Sequence, residues 1–241
     1  MKGMILAAGM GTRLKPWTDR HPKALVPVGG VPMLQRVVEK MYGVGITDIT
    51  VNVYHFADQI IDFIREKGWD IKISDERPEL LETGGGLLKA TTLLRGEEPV
   101  LVHNTDILSN MEFGELEQQI ETESRDALLL VSERESSRKL IFDADMKLRG
   151  WHNLTTGEYR PENYEKRKGD REYAFSGIYV VSQGFLARMR EREWRGKFSI
   201  IDYLLAEMGR ENIGGYVKKD LELIDIGKPD SLNRAETLLG A

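Results

Sequence analysis

Apolar and polar positions recur along this chain with two different periods, and the change of period divides it. Continuous apolar runs at Met4 to Ala7, "ITVNV" at 49–53, "IKIS" at 71–74, "PVLVH" at 99–103 and "ALLLVS" at 127–132 predict strands buried on both faces. Between them the spacing lengthens to that of helices. Pro32 occupies a helix-start position, and Met33, Leu34, Val37, Val38 and Met41 follow on one face; Ile60, Ile61 and Ile64, then Leu87, Leu88, Thr91 and Leu94, repeat the pattern. This alternation predicts an α/β fold, a doubly wound and mostly parallel sheet covered on both sides.

The rhythm changes after about residue 132. "KLIFDADMKLRGW" predicts a hairpin turning at Asp143 to Asp145, and "AFSGIYVV" at 174–181 predicts another strand, which gives the second half an α+β character. Residues 158–172, "EYRPENYEKRKGDRE", form the one long polar stretch and are expected to be a solvated loop, with closure over a substrate as the alternative. There is no internal repeat and no Gly/Ser linker, so a single domain over 1–241 is expected.

Composition removes several classes of function. With 41% hydrophobic residues in 241, the chain can bury a large core, and with no cysteine it has no disulfide, thiolate zinc site or cysteine nucleophile. Its 34 basic and 39 acidic residues are interspersed and sum to −5, which is not the footprint of a nucleic-acid binder. No run approaches the roughly 20 apolar residues of a membrane span, and a cytoplasmic protein is expected. His21, His55, His103 and His152 lack the spacing of a zinc site and are read as structural, as are Trp151 and Trp194.

The candidate chemistry lies at the beginning. "MILAAGMGTRLKPWTDRHPKALVPVGGVP", residues 4–32, runs from a buried strand into a glycine-rich turn, which would deliver backbone N–H groups at the carboxyl edge of a sheet, where open α/β folds bind ligands. Leu14 occupies the third glycine of a dinucleotide fingerprint and no G-K-[ST] follows, so neither common glycine motif fits. A plain structural turn would explain the glycines but not Arg13 and Lys23 behind them. Pro22, Pro27 and Pro32 stiffen the backbone around Lys23 and predict an extended track, so an arginine fork and a lysine point charge are held ready for phosphate oxygens.

"LAAGMGTRLKPWT", "PKALVPV" and "PM" together resemble the signature of the sugar-1-phosphate nucleotidylyltransferases. The resemblance spans nearly the whole chain and is densest at 4–33 and 82–106. It implies a Rossmann-like nucleotidyltransferase fold, with a nucleotide-binding half over about 1–105 and a sugar-phosphate half over about 106–241. It further implies that a nucleoside triphosphate (NTP) and a sugar-1-phosphate give a nucleotide sugar and pyrophosphate with Mg²⁺. UTP is the favoured triphosphate and GTP the alternative.

Leu6, Ala7, Ala8, Gly9, Gly11 and Thr12 would then cradle the triphosphate with Asn104, Arg13 would face its phosphates, and Lys23 would bridge the α-phosphate and the sugar phosphate. Asp106, past the strand of "LVHNTDIL", and Asp225, in "LELIDIGKPD" where Gly227 and Pro229 begin a turn, match the family's metal-binding strand ends. Arg13, Lys23, Asp106 and Asp225 are thus the expected catalytic set. "LLETGGGLLKA" puts glycines ahead of an apolar helix, and by resemblance Glu82, Thr83, Gly84 and Gly85 read the base, largely through backbone. Ser176 and Gly177 in "YAFSGIYV", with Asp106, fall on the sugar side.

The E-K-P motif of longer hexose-1-phosphate enzymes is missing, which leaves one phosphate contact unassigned. Length, "LETGGG", "NTD" and "FSGI" look most like the compact bacterial branch of N-acetylmuramate-1-phosphate uridylyltransferases and mannose-1-phosphate guanylyltransferase-like enzymes. A catalytically silent nucleotide-sugar-binding module is a different class of reading, disfavoured by the four charged residues together. A glycosyltransferase is disfavoured by the lack of D-x-D. A homo-oligomer is left open.

Overall fold

The computed structural model describes residues 1–227 together with 231, 232, 234 and 235. The chain runs through β1 (Lys2–Leu6), β2 (Pro27–Val28), β3 (Val31–Pro32), α1 (Met33–Gly43), β4 (Ile49–Val53), α2 (Ala57–Glu66), β5 (Ile71–Asp75), α3 (Glu82–Ala90), β6 (Val100–Asn104) and β7 (Ile107–Ser109). It continues through α4 (Phe113–Thr122), β8 (Ala127–Ser132), β9 (Arg138–Phe142), β10 (Leu148–Asn153), β11 (Glu158–Arg160), β12 (Arg171–Val181), α5 (Gln183–Glu191), α6 (Ile200–Glu207), β13 (Ile213–Val217) and β14 (Leu223–Asp225). Short 3₁₀ turns at Thr12–Leu14, Trp17–Asp19 and Lys23–Leu25 lie between β1 and β2.

β5, β4, β1 and β6 pair in parallel in that order, β12 joins β6 antiparallel, and β8 with its parallel partner β13 flanks the other side of β12. The sheet is therefore mostly parallel but mixed. Its strands read as unbroken apolar runs because alternate residues enter different cores. Met4, Val100, Val102, Leu129, Tyr179 and Val181 face α3, α5 and α6, in one cluster with Leu87, Phe185 and Leu204. Ile5, Leu101, Leu128, Leu130, Ile178 and Val180 face α1, α2 and α4, in a second cluster with Val38, Ile60 and Leu116. α1 buries Met33, Leu34, Val37, Val38 and Met41, the stripe its spacing predicts.

β12 is eleven residues long and does two jobs. Its last residues lie in the central sheet against β6, whereas Arg171 to Tyr173 pair with β9, and the register breaks between Phe175 and Tyr179. The hairpin expected around Asp143–Asp145 is β9 and β10, with Leu148 opposite Phe142, and β11 extends it. The polar stretch therefore starts as a strand. Tyr159 stacks between His152 at 3.9 Å and Tyr164 at 5.6 Å, and Arg160 reaches Asp202 of α6 at 2.9 Å. Trp151, 9% exposed, packs under the Arg160 guanidinium, and Trp194 packs on Phe198 at 4.8 Å, so both tryptophans are structural.

A third, smaller cluster joins Leu14, Val26, Val28, Met33 and Ile226, with Leu108 and Ile224 against it. It fastens the loop after β1 to β14. The turn expected through Pro229 lies outside the described residues. No described helix is long and apolar enough to cross a membrane.

Candidate active site

At the carboxyl edge of β1, β4 and β6 a cavity of about 390 Å³ is lined by Leu6, Ala7, Ala8, Gly9, Lys23, Ala24, Asn52, Leu80, Glu82, Thr83, Asn104, Thr105, Asp106 and Ser199. Nine of the residues singled out in the sequence are among them: Leu6, Ala7, Ala8, Gly9, Lys23, Glu82, Thr83, Asn104 and Asp106. Ala7 donates its N–H to Asn52 Oδ1 at 2.6 Å. Among the described residues, nothing accepts the N–H groups of Ala8, Gly9, Met10 or Gly11. Four consecutive amide donors without an acceptor among the described residues, beside a cavity, are an arrangement suited to an anion. Gly11 turns the chain there with φ 62°, and a Cβ would press within 2.8 Å of both Lys23 Cβ and Thr18 Cγ2.

Lys23 is held differently from the expected extended track. Pro22 is extended, with φ −69° and ψ 145°, but Lys23 opens a 3₁₀ turn in which Val26 N–H returns to Lys23 O at 3.1 Å. The fixed φ of proline suits it to precede a helical turn, and that turn aims the ammonium inward. Lys23 Nζ donates to Asp106 Oδ2, with the two side chains 14% and 20% exposed.

Asp225 reaches this corner through a two-stranded ribbon. β7 directly follows Asp106 and pairs antiparallel with β14, placing Asp225 opposite Ile107, and Ile226 N–H donates to Asp106 O at 2.9 Å. Ile224 and Ile226 pack in the small apolar cluster on either side of Asp225 along the chain. Leu14 anchors Arg13 to the same cluster. The outcome is visible at Gly227, where a Cβ would lie 2.7 Å from Arg13 Nη2, 2.7 Å from Asp225 Oδ1 and 3.2 Å from Lys23 Nζ. Arg13, Lys23, Asp106 and Asp225 therefore occupy one corner, although Arg13 and Asp225 do not line the cavity itself.

The glycine segment differs from its expected place. Gly84, Gly85 and Gly86 lie inside α3 and are buried, because three neighbours press on that helix. A Cβ on Gly84 would sit 2.5 Å from the Phe198 ring, one on Gly85 would run into the Gly196 carbonyl, and one on Gly86 would lie 2.5 Å from Glu76 Oε1. The N–H groups of Gly84 and Gly85 both point to Phe198 O, at 3.0 and 3.2 Å, so these amides have a partner within the fold and neither glycine lines the cavity. Thr83 Oγ1 accepts Ile200 N–H at 2.9 Å, and Glu82, at φ 61°, is drawn towards Lys197 at 3.4 Å.

Ser176 and Gly177 lie behind Asn104 rather than on the cavity wall. Ser176 is buried and accepts Ile178 N–H at 3.1 Å; Gly177, with φ 79°, leaves the space that the Asn104 amide fills, 2.7 Å from where a Cβ would stand. Thr12 is exposed in the first 3₁₀ turn, beside Arg13.

Two further charged groups stand near the site without any sequence signal. Arg134, just past β8, donates to Phe175 O at 2.8 Å; it is open to solvent, yet surrounding protein strips enough water to lower its pKa, and the Asp225 carboxylate opposes that shift. Glu76 is 2% exposed, and its burial raises its pKa. Neither stands in a motif. His103, a buried residue of β6, is held neutral by desolvation with its pKa pushed down to about 3, and stacks edge-on against Phe113.

An open sheet with free loop amides at its carboxyl edge defines an α/β protein of the nucleotide-binding class. A family model described as nucleotidyl transferase matches residues 2–240, and the chain belongs to that family. It is 31% identical to an N-acetylmuramate alpha-1-phosphate uridylyltransferase of Neisseria meningitidis serogroup B, over 100% of this chain and 99% of the relative. It is 44% identical to an enzyme of the same name from Caulobacter vibrioides, but that match covers only 43% of this chain and 44% of the relative. In fold it is similar to HddC from Yersinia pseudotuberculosis complexed with GMP-PN, with a TM-score of 0.77, 24% identity and coverage of 99% of each chain.

Proposed function

We propose that this protein joins a nucleoside triphosphate, preferably UTP, to a sugar-1-phosphate, releasing pyrophosphate. The observation that carries this reading is the meeting of Arg13, Lys23, Asp106 and Asp225 at one corner of the cavity below the free amides of Ala8 to Gly11. Near 390 Å³, the cavity has the volume of a small-molecule site. The relatives named N-acetylmuramate alpha-1-phosphate uridylyltransferase favour uracil as the base and an acidic amino sugar as the acceptor.

In this reading residues of about 1–105 hold the nucleotide and residues of about 106–241 the sugar phosphate. A sugar-phosphate oxygen attacks the α-phosphorus, the bond from that phosphorus to the bridging oxygen breaks, and pyrophosphate carries the electron pair away. The loop amides and Arg13 stabilise the departing phosphates. Lys23 exchanges its Asp106 contact for phosphate oxygens and holds the two anions together. Arg134, bonded to the Phe175 carbonyl at the β12 bend and within electrostatic reach of Asp225, supplies the cation that the missing E-K-P motif leaves unassigned.

Asp106 and Asp225 offer hard anionic oxygens, and among the described residues no group of three or more His, Cys, Asp or Glu gathers. That donor set fits Mg²⁺, which is commonly held by one or two carboxylates plus substrate phosphates. When bound, the ion would neutralise charge on the reacting phosphates. The same reading places the enzyme in the cytoplasm with its triphosphate.

The test is pyrophosphate release from UTP and GTP against a panel of sugar-1-phosphates, including one with a carboxylate on the sugar. Release with one pair supports the reading. Nucleotide-sugar binding without turnover would instead make the protein a silent binding module.

A further inference from the structure

Glu76 belongs to a hydrogen-bond chain whose polarity is fixed at both ends. At one end Ala7, the first residue beyond β1, donates its N–H to Asn52 Oδ1 at 2.6 Å. Asn52, 2% exposed in β4, is thereby forced to present its amide nitrogen the other way, where Nδ2 donates to Glu76 Oε1 at 2.6 Å. At the far end the N–H of Leu81, the residue before α3, donates to Glu76 Oε2 at 2.9 Å.

Backbone amides only donate, so an acceptor must meet each of them. With both ends donating inward and one amide side chain between, residue 76 must accept at both oxygens. An ionised carboxylate does so; a glutamine of the same shape cannot. The fold accommodates this chain at some cost. Burial raises the Glu76 pKa, with the adjacent Asp75 adding to the shift and Lys89 of α3 opposing it, while the absent Cβ of Gly86 leaves room 2.5 Å from Oε1 and 2.7 Å from Asn52 Nδ2.

The two ends of the chain are the two walls of the cavity. Ala7 leads into the free amides, and Leu81 leads into Glu82 and Thr83. We infer that Glu76 is a positioning residue, whose ionised carboxylate fixes the spacing between the phosphate-binding loop and the base-side entry of α3. It touches no substrate. The inference rests on the nucleotide reading above, and its test is arranged so that the two can fail separately.

Calorimetry of UTP with Mg²⁺ comes first, on the unaltered protein. Absence of binding there, with UTP and with GTP, overturns the nucleotide reading and this inference with it. Given binding, Glu76→Gln sets a donor against a donor at one end of the chain, and the triphosphate Kd should rise about 5–100-fold. The sugar-1-phosphate KM should stay unchanged.

Asn52→Asp alone places two carboxylates face to face and should also weaken binding. The double variant Asn52→Asp/Glu76→Gln restores the polarity: the carboxylate introduced at position 52 accepts from Ala7 and from the amide introduced at position 76, whose oxygen accepts from Leu81. It should bind the triphosphate more tightly than either single variant and recover their lost melting temperature. Additive losses in the double variant would overturn the inference.

Acidification supplies an independent readout. Because the relay needs the charged form, triphosphate affinity of the unaltered protein should fall as pH drops to a range above that of an ordinary glutamate. The Glu76→Gln variant should lack that part of the profile. Identical profiles for the two proteins would refute the role.

Discussion

Replacing Gly86 by alanine tests whether α3 carries glycines for space rather than for flexibility. In a helix interior the exchange should stabilise the protein by about 1 kcal/mol, since glycine is the poorest helix former after proline. Here the new methyl would arrive 2.5 Å from Glu76 Oε1 and 2.7 Å from Asn52 Nδ2, both buried and bonded to each other at 2.6 Å. Overpacking of this kind costs about 1–3 kcal/mol. Parting the buried donor from its acceptor costs about another 1–3 kcal/mol. The net expectation is destabilisation by about 1–5 kcal/mol. Gly114 in α4 is the control, because nothing lies within 4 Å of its missing Cβ, and Gly114→Ala should be neutral or stabilising by up to about 1 kcal/mol. Urea midpoints of the two variants and the unaltered protein measure the difference, with UTP affinity measured alongside. If Gly86→Ala unfolds at or above the midpoint of the unaltered protein and binds UTP equally well, the close-approach argument is wrong.

Asp225→Asn should keep the fold but lower turnover and shift the Mg²⁺ requirement upward, because one anionic oxygen is lost at equal volume; an unchanged Mg²⁺ titration would remove Asp225 from the site. Arg134→Gln should raise the KM for the sugar-1-phosphate and leave that for the triphosphate alone, whereas Lys23→Ala should slow turnover as well; steady-state kinetics with both substrates varied separates the two patterns. His103 gives a pH signature of stability. Its folded pKa of about 3 lies below the unfolded value of about 6.5, so the unfolded chain takes up the proton first, and stability is full above the unfolded value and falls as pH drops below it. Between pH 7 and 5 the unaltered protein should lose about 2 kcal/mol that His103→Gln does not lose, read from urea unfolding at each pH.

The elements most legible in the sequence were those whose pattern depends only on which residues are buried. The run 49–53 and the run 127–132 are strands with those bounds, since both faces of a central strand are covered and most of its residues are apolar. The apolar pattern starts the first strand at Met4, two residues after its actual start at Lys2, because the Lys2 side chain extends from the strand to Asp48 at 2.6 Å and gives no apolar signal. The sequence pattern places the glycines of 84–86 ahead of a helix, since helix propensity penalises them inside one. What overrides propensity is the approach of Phe198, Gly196 and Glu76, all outside the helix, and no local pattern reports such neighbours.

The same distinction explains the site. Leu6 to Gly9 and Asp106 stand at strand ends that the apolar runs locate, Lys23 is marked by the prolines around it, and the resemblance supplies the role of each. The meeting of Asp106 with Asp225 follows from a ribbon of two three-residue strands, too short to register as a pattern, and it needs Ile224 and Ile226 packed in the cluster that also takes Leu14. One apolar cluster thus fixes Arg13 and Asp225 by burying the residues beside them. Glu76 follows the opposite logic: a charge is buried at a cost to its ionisation so that two backbone amides, Ala7 and Leu81, receive acceptors across three adjacent strands. Backbone amides are common to all sequences, so a residue whose task is to satisfy them leaves no motif. Donor and acceptor accounting in the folded chain is what exposes it.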